Sequence, residues 1–506
     1  MLEHGYAALP GHIEPAESPL ADGADTRFPL VLTTAKSGWF VHSSHRHVAS
    51  LRKKTPDPSI EINARLAAKR GLQDGDWAIV TTSAGEVRLR VRLNEALDDR
   101  VAVAEFGWWE DCPPLGRDAI GPAGSPTSNM NNALSDATRD PVSGSVPLRA
   151  MTCDIRKDEI ASRGHWTGKR GFAVAAVHSQ ADDVVALDLA PCDGGAIPAF
   201  HPGQHVLLSL PGLDVARAYS LTGHDGRDVL SIAVKQRRSG DSSLAGDAVH
   251  LSDHVHRLAV GDEVQFESPK GIFTPPLHGP RPLIFLAAGI GITPFIGHLG
   301  ALARRASADR VAKVLLLYGC RSGGEHAFAG RLRQLAALLP ELELVTAYSA
   351  PRAQDRCPED YDYAGRLDLS AIDPLLPLRP LAYLCGSPNF TTTMTARLIG
   401  RGVPRFDIFT EAFTSPPIVP RTLKAQTVRI ADSDRSFTWT PELGTLLDAA
   451  QAAGVSLPSG CRVGQCESCL MRVVAGNVAQ LGGDASATDH CLTCQSVPLS
   501  ELTLAL

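Results

Sequence analysis

Three cysteines near the end of the chain, Cys461, Cys466 and Cys469, stand in the spacing C-x4-C-x2-C, and Cys491 and Cys494 follow as C-x2-C. Five of the eleven cysteines thus fall in the last 46 of 506 residues, the distribution of a metal site rather than of core packing. The N-terminus, MLEHGYAALPGHIEPAESPLADGAD, has neither the basic flank nor the apolar core of a secretion signal, so residues 1–26 are expected to be a flexible lead-in. Such a chain is expected in the cytoplasm, where a disulfide framework is disfavoured. Thiolate ligation is the constraint the terminal segment must satisfy. Two chemistries fit it: a zinc ribbon built on Cys466-x2-Cys469 and Cys491-x2-Cys494, or an iron–sulfur cluster.

Zinc leaves Cys461 without a use, whereas an iron–sulfur loop needs it. Upstream, TVRIADSDRSFTWTPELGTLLDAAQAAGVSLP predicts two strands and a helix before the cysteine loop, with Gly460 and Gly464 relieving strain in that loop. That order over residues 421–506 resembles the plant-type [2Fe–2S] ferredoxin family, a β-grasp fold. The resemblance implies Cys461, Cys466, Cys469 and a fourth thiolate as cluster ligands. Leu492-Thr493-Cys494-Gln495-Ser496 fits the family's last ligand turn, which favours Cys494 and leaves Cys491 as the alternative.

The middle of the chain alternates apolar and polar residues in short runs, as antiparallel strands do (FAVAAVHSQADDVVALDLAP, SIAVKQ, VGDEVQFESPKGIF). Within this stretch stands Arg217-Ala218-Tyr219-Ser220. Further on, RPLIFLAAGIGITPF predicts a strand running through Gly289, Gly291, Thr293 and Pro294 into a helix; these breakers, with His298, argue against a membrane span from Pro282 to Ala303. A strand then ends at Cys320-Arg321-Ser322, another at Cys385-Gly386, and Glu411-Ala412-Phe413 follows. Together these motifs resemble the ferredoxin reductase family, with an antiparallel flavin-binding barrel over 166–277, a parallel-sheet α/β nicotinamide-binding domain over 278–405, and a linker over 406–420.

The resemblance implies that Tyr219 covers the flavin, Ser220 bonds its ring edge, and Arg217 pairs with phosphate. Ser252 is expected at a phosphate-binding helix, where Val249 replaces the family's glycine; FAD is expected, with FMN the alternative. Gly289, Gly291, Thr293 and Pro294 would cradle the NAD(P)H pyrophosphate, and Arg321 would reach the adenine-side ribose or a 2′-phosphate. NADH and NADPH both stay open. Cys385, Gly386 and Glu411 would lie beside the nicotinamide, so Tyr219, Ser220, Cys385 and Glu411 form the expected catalytic set. The order flavin, nicotinamide, ferredoxin resembles the phthalate dioxygenase reductase type.

Residues 27–157 stand apart. LTTAK, HSSHR, P-S-I-E-I-N, A-x-x-R-G-L-x-D-G-D-W, GWW at 107–109 and the segment SNMNNALSDATRDPVSGSVPLRAMTC predict short strands around a helix over Ala64–Arg70, with a hairpin at Ala84-Gly85. These words resemble the C-terminal dinucleotide-binding barrel of the molybdopterin oxidoreductases. Thr34, Lys36, His42, Ser43, His45 and Arg46 would then approach a molybdopterin guanine dinucleotide, with Asn129 and Asn131 closing on it. The bland alternative is a solvated basic edge on a barrel.

The remainder of that family's catalytic chain is not in this sequence, so the expected partner is a molybdopterin catalytic subunit or another electron-acceptor protein. The alternatives are a fragment, or a barrel kept as a docking relic. A net charge of −6 gives no electrostatic reason to expect nucleic acid.

Overall fold

The computed structural model of the chain describes residues 14–505, apart from 16, 21–22, 119–127, 138, 141–142, 147, 150, 214–215, 224–227, 237–250, 413–418, 432, 434, 456, 460–463, 465–468 and 482–488. It divides into two compact units, Met1–Cys112 with Asp118–Thr167, and Pro113–Arg117 with Gly168–Leu506. Among the described residues no helix is long and apolar enough to cross a membrane.

The first unit is a closed six-stranded barrel. Its strands are β1 (Leu30–Ala35), β2 (Ser59–Ile62), β3 (Trp77–Thr81), β4 (Glu86–Leu93), β5 (Val101–Glu105) and β6 (Met151–Lys157), in the order β1-β5-β2-β4-β3-β6. Two short helices, α1 (Ala49–Arg52) and α2 (Ala64–Lys69), interrupt them. Asn63 caps α2 by accepting from the Arg65 N–H, and the helix places Leu66 and Ala67 in the core. Alternation along β4 turns Val87, Leu89 and Val91 inward and its arginines outward. Thr81 faces Glu86 across the Ala84-Gly85 hairpin.

One buried charge organises the rim of this barrel. Asp76 is fully buried, and its carboxylate accepts from the Gln73 N–H (2.9 Å) and the His165 ring (Nδ1, 2.9 Å), with Lys157 Nζ at 3.0 Å. Burial works against ionisation of Asp76, but the His165, Gln73 and Lys157 contacts outweigh it and hold the carboxyl below its usual range.

The second unit begins with a closed antiparallel barrel. Its strands are β7 (Lys169–Ala181), β8 (Val184–Pro191), β9 (His205–Ser209), β10 (Ala216–Gly223), β11 (Leu230–Lys235) and β12 (Glu263–Glu267), with the short helix α3 (Leu251–Val255) between the last two. A parallel sheet follows, made of β13 (Leu283–Ala288), β14 (Val314–Cys320), β15 (Leu342–Tyr348), β16 (Tyr363–Ala364), β17 (Leu381–Gly386) and β18 (Ile408–Ala412), in the order β16-β15-β14-β13-β17-β18. Helices α4 (Thr293–Ala303), α5 (Ala329–Leu338) and α6 (Pro388–Gly400) pack on it. The central strands are apolar on both faces, as a sheet covered on both sides requires.

Barrel and sheet share one hydrophobic cluster, in which Val184, Ala186 and Ala233 pack with Phe285, Phe295 and Tyr383. Salt links join them as well: Lys235 lies 3.4 Å from Asp183 and 3.3 Å from Glu325, and Arg352 lies 2.6 Å from Asp182.

The C-terminal sheet consists of β19 (Gln426–Ile430), β20 (Ser436–Trp439), β21 (Leu470–Ala475), β23 (His490–Leu492) and β25 (Leu502–Ala505), ordered β20-β19-β25-β21-β23. A separate pair joins β22 (Val478–Gln480) to β24 (Ser496–Pro498). Helix α7 (Leu446–Ala452) starts at a capping box between Thr445 and Asp448 and buries Leu446, Leu447, Ala449 and Ala450.

Asp76→Asn should destabilise the first unit by about 2 kcal/mol, the scale of a lost charge-assisted hydrogen bond. Because the folded pKa of Asp76 is depressed, its contribution is present above the unfolded carboxyl value near ~3.9 and disappears as pH falls through the folded value. Hydrogen exchange of the β3 and β6 amides should therefore accelerate below about pH 4 in the wild type, and much less so in Asp76→Asn.

Candidate functional site

The motif strand β10 carries Arg217, Tyr219 and Ser220. Ser220 is buried, and its Oγ has no hydrogen-bond partner among the described residues. Burial pushes the Tyr219 hydroxyl up to about 12 and lowers the Arg217 guanidinium from its usual value. Arg217 donates to the Ala216 carbonyl (2.9 Å) and stays half-buried beside the tyrosine. A buried hydroxyl left unpaired costs about 1–3 kcal/mol, so Ser220 is built to meet a polar group from outside the chain. That fits the ring edge of a flavin.

Ser220 is the direct cross-strand partner of His205 on β9, which places both side chains on one face of the barrel. His205 Nδ1 lies 3.8 Å from Glu411 Oε1 on β18, and both side chains are 4% exposed. Glu411 is in turn the register partner of Cys385 on β17, a fully buried thiol that burial, reinforced by the Glu411 charge, holds well above its ordinary pKa. Ser220, Cys385 and Glu411 are thus joined along a line that runs through His205. His205 was not among the residues singled out from sequence. Its apolar neighbours in GQHVLLSL make it look like one position of an ordinary strand.

The nucleotide turn is built by close backbone approach. Gly289 takes φ +53°, and Tyr318 donates its hydroxyl to the Gly289 carbonyl (3.0 Å). A Cβ on Gly291 would lie 2.2 Å from the Cys385 carbonyl oxygen, so only glycine lets the turn reach β17. Thr293 and Pro294 open α4, with Thr293 donating to the Ile290 carbonyl (3.1 Å). Gly297, two turns' spacing from Ile290 on the same run, also escaped notice in the sequence. A Cβ there would stand 2.4 Å from the Leu221 carbonyl oxygen of β10, so the glycine lets α4 lie against the flavin strand.

Arg321 is exposed at the end of β14, and the nearby Gly323 N–H donates to Asp355 (3.1 Å). Gly386 closes β17 against Phe390, which a Cβ would meet at 2.7 Å. Ser252 falls inside α3, a helix of only five residues; Val249 and Phe413 lie outside the described residues.

In the C-terminal domain Cys469 Sγ and Cys494 Sγ are 3.1 Å apart, beyond the ~2.05 Å of a disulfide. The turn that brings them together is fixed twice, because Thr493 donates both its N–H (3.0 Å) and its hydroxyl (3.2 Å) to the Cys469 carbonyl. Cys491 sits opposite Met471 in the ladder, and burial pushes its thiol up to about 12. Gly464 takes φ +77° and approaches Gln495, as the strained-loop expectation required. Cys461, Cys466 and Gly460 lie outside the described residues; among those described, no group of three or more potential metal ligands is gathered. The paired thiols fit a metal or cluster held by cysteine.

In the first unit Lys36, His42 and His45 are exposed, and Ser43 is half-buried. His42 (φ 53°) and His45 (φ 73°) both occupy the left-handed region that non-glycine residues rarely adopt. A Cβ on Gly107 would meet the Ser43 Cα at 2.7 Å, so the GWW segment supports this loop from beneath. Arg46 corrects the sequence expectation. Its guanidinium turns inward, bonds the Gly107 and Phe106 carbonyls, and stacks over Trp108 (4.0 Å) and Phe40 (4.2 Å). Burial lowers it to about 10. Trp108 of the GWW segment and Phe40 supply a cation–π cage around this side chain.

Asn129 is also committed, accepting from the Asn131 N–H (3.1 Å), while the Asn131 side chain is exposed. Thr34 donates its hydroxyl to the Leu148 carbonyl (2.9 Å). The exposed Lys36, His42 and His45 fit a phosphate-bearing ligand; Arg46 does not.

Gly297→Ala should force α4 off β10. Flavin retained after gel filtration should fall and the melting temperature should drop, whereas Gly300→Ala, with no contact shorter than 3.9 Å to an added Cβ, should change neither.

Three segments of the chain match known family models. Residues 30–152 match the molydopterin dinucleotide binding domain, residues 285–396 the oxidoreductase NAD-binding domain, and residues 428–499 the 2Fe-2S iron-sulfur cluster binding domain. Among curated proteins, a flavohemoprotein of Chromobacterium violaceum is 36% identical over 269 residues, covering 51% of this chain and 64% of that protein. A flavohemoprotein of Bordetella pertussis is 34% identical over 261 residues, covering 50% and 63%. The chain therefore spans somewhat under two thirds of the length of these relatives.

Among solved structures, phthalate dioxygenase reductase is 22% identical and covers 67% of this chain and 98% of its own (TM-score 0.46). The FAD/NAD-binding domain of a nitric oxide dioxygenase from Vibrio cholerae is 29% identical over 48% of this chain and 98% of its own (TM-score 0.41). The chain joins a molybdopterin-dinucleotide-binding-type barrel, a flavin and NAD-binding reductase module and a 2Fe-2S domain, the domain content of an electron-transfer oxidoreductase.

Proposed function

We propose that the chain is an NAD(P)H-dependent electron-input protein, passing electrons from NAD(P)H to a flavin, from the flavin to a [2Fe–2S] cluster, and from the cluster to a molybdopterin-type catalytic partner. The observation that carries this reading is the line Ser220, His205, Glu411, Cys385, which runs from the flavin barrel into the nucleotide sheet and leaves polar atoms unpartnered where the two cofactors would meet. A flavin supplies the one property the path needs when bound, the ability to take a hydride and release electrons singly.

The chain's own part is placement. Ser220 offers its hydroxyl to the ring edge and Tyr219 covers the ring, with Arg217 as its phosphate partner. Gly289, Gly291 and the start of α4 present backbone amides to the pyrophosphate, and Arg321 serves the adenine side. Cys385 and Glu411 line the nicotinamide position. FAD is the flavin proposed.

For the cluster, the 3.1 Å approach of Cys469 and Cys494 supports Cys494 over Cys491 as the fourth ligand, alongside Cys461 and Cys466. The first unit would take a pterin dinucleotide through Lys36, His42, Ser43 and His45. A second reading, a self-contained reductase for an oxygenase or soluble acceptor with the barrel as a docking module, is favoured by the inward turn of Arg46 and the self-capping of Asn129.

The test is spectroscopic. Cys494→Ser should abolish the reduced-cluster EPR signal while NADH still bleaches the flavin, and Cys491→Ser should keep both; the reverse pattern would reassign the ligand. Molybdenum copurifying with the chain from native lysate supports the first reading, and molybdenum-free, iron–sulfur-loaded chain that reduces cytochrome c supports the second.

A further inference from the structure

We propose that His205 is a positioning residue that fixes the Glu411 carboxylate across the seam between the flavin barrel and the nucleotide sheet, a role that rests on the flavin and nicotinamide reading above. The two residues belong to different sheets. His205 opens β9 of the barrel and Glu411 lies near the end of β18, yet the ring and the carboxylate meet at 3.8 Å with both side chains nearly sealed from solvent. A carboxylate in so dry a place is costly unless a positive or hydrogen-bonding group faces it, and His205 is the basic side chain that does so. The separation is longer than a hydrogen bond, so the contact is a close approach that leaves both partners free to bond elsewhere.

The histidine itself has little freedom. Its backbone exchanges two hydrogen bonds with Lys270, each 2.8 Å, which pin the start of β9 to the segment after β12. On the side of that segment Gly271, at φ +110°, forms a wall: a Cβ there would lie 2.9 Å from His205 Nδ1. The Nδ1 edge of the ring therefore lies close both to Gly271 of the barrel and to Glu411 of the sheet.

Three atoms around this pair, His205 Nε2, Glu411 Oε2 and Ser220 Oγ, are buried without a hydrogen-bond partner. One such atom is an ordinary imperfection; three on side chains linked by the Ser220–His205 register pair and the His205–Glu411 approach describe a surface suited to a polar ligand edge. With His205 in place, Glu411 is held at one orientation relative to Ser220 and Cys385. Without it, the carboxylate would turn toward whatever donor or water it could find, and the nicotinamide position would lose its fixed wall. A misplacement of about 1 Å at a reacting pair can cost on the order of a hundredfold in rate.

The full flavin-loaded chain should be mixed anaerobically with NADH in a stopped-flow spectrometer, as wild type, His205→Leu, His205→Gln and Gly271→Ala. His205→Leu is expected to slow flavin bleaching at saturating NADH by about tenfold or more, with little change in the NADH concentration for half-maximal rate. It should also alter the flavin difference spectrum produced by NAD+, a readout independent of turnover. His205→Gln, which keeps an N–H toward Glu411, should retain most of the rate, and Gly271→Ala should reproduce part of the Leu defect by displacing the ring.

Wild-type rate and an unchanged difference spectrum in His205→Leu would overturn the positioning role. So would equal defects in the Leu and Gln variants, which would reduce His205 to packing. A wild-type chain whose flavin is bleached by neither NADH nor NADPH would instead overturn the functional reading itself. Should His205→Leu fail to fold, the Gln and Gly271→Ala comparison decides the matter alone: a Gly271→Ala chain with wild-type rate and spectrum counts against the proposal.

Discussion

Burial of polar groups without internal partners is the constraint around which the reductase half of the chain is organised. Ser220 Oγ, His205 Nε2 and Glu411 Oε2 are each withdrawn from water and left unsatisfied, and folding alone gives no return for that. The cost is tolerable because the shared hydrophobic cluster of barrel and sheet, from Val184 to Tyr383, makes the seam a single packed body. Lys235, bridging Asp183 and Glu325, and Arg352 on Asp182 add charge links along the same seam. Atoms that would be defects in an isolated domain become a binding edge when two domains are pressed together this firmly.

Two close approaches, one inside the nucleotide sheet and one across the seam, depend on missing side chains. Gly291 lets the nucleotide turn touch the Cys385 carbonyl, and Gly297 lets α4 touch the Leu221 carbonyl. In each case any larger residue would have to displace backbone. The proposed site therefore depends on two glycines with no chemistry of their own, as well as on the residues that carry the polar atoms. The first unit works the other way. There Arg46 is drawn inward by Trp108 and Phe40, and a cation that looked available to a ligand instead braces the loop carrying His42 and His45.

Features set by short spacing were legible in the sequence. The run RPLIFLAAGIGITPF does form strand, turn and helix; the segment before the cysteines does form two strands and a capped helix; and Ala84-Gly85 does close a hairpin. What escaped was set by long-range packing. His205 has the appearance of one residue in an apolar strand, because its partner Glu411 arrives only when the distant β18 closes beside β17. Gly297 resembles a weak point in a helix until the β10 carbonyl beneath it is seen. Arg46 was read by its charge and its neighbours in sequence, while the GWW segment that captures it stands some sixty positions further on. The sequence motif already favoured Cys494 over Cys491, and the turn around Thr493 adds its close approach to Cys469, which the spacing alone does not reveal.

In the proposed function one polypeptide converts hydride chemistry into single-electron delivery, with the flavin upstream of the cluster. Rapid anaerobic mixing of the flavin- and iron-loaded chain with NADH, freeze-quenched for EPR while flavin absorbance is followed, tests it most directly. Flavin bleaching should come first and the reduced-cluster signal should grow after it in the same chain. A cluster signal that grows equally fast in chain stripped of its flavin would contradict the account.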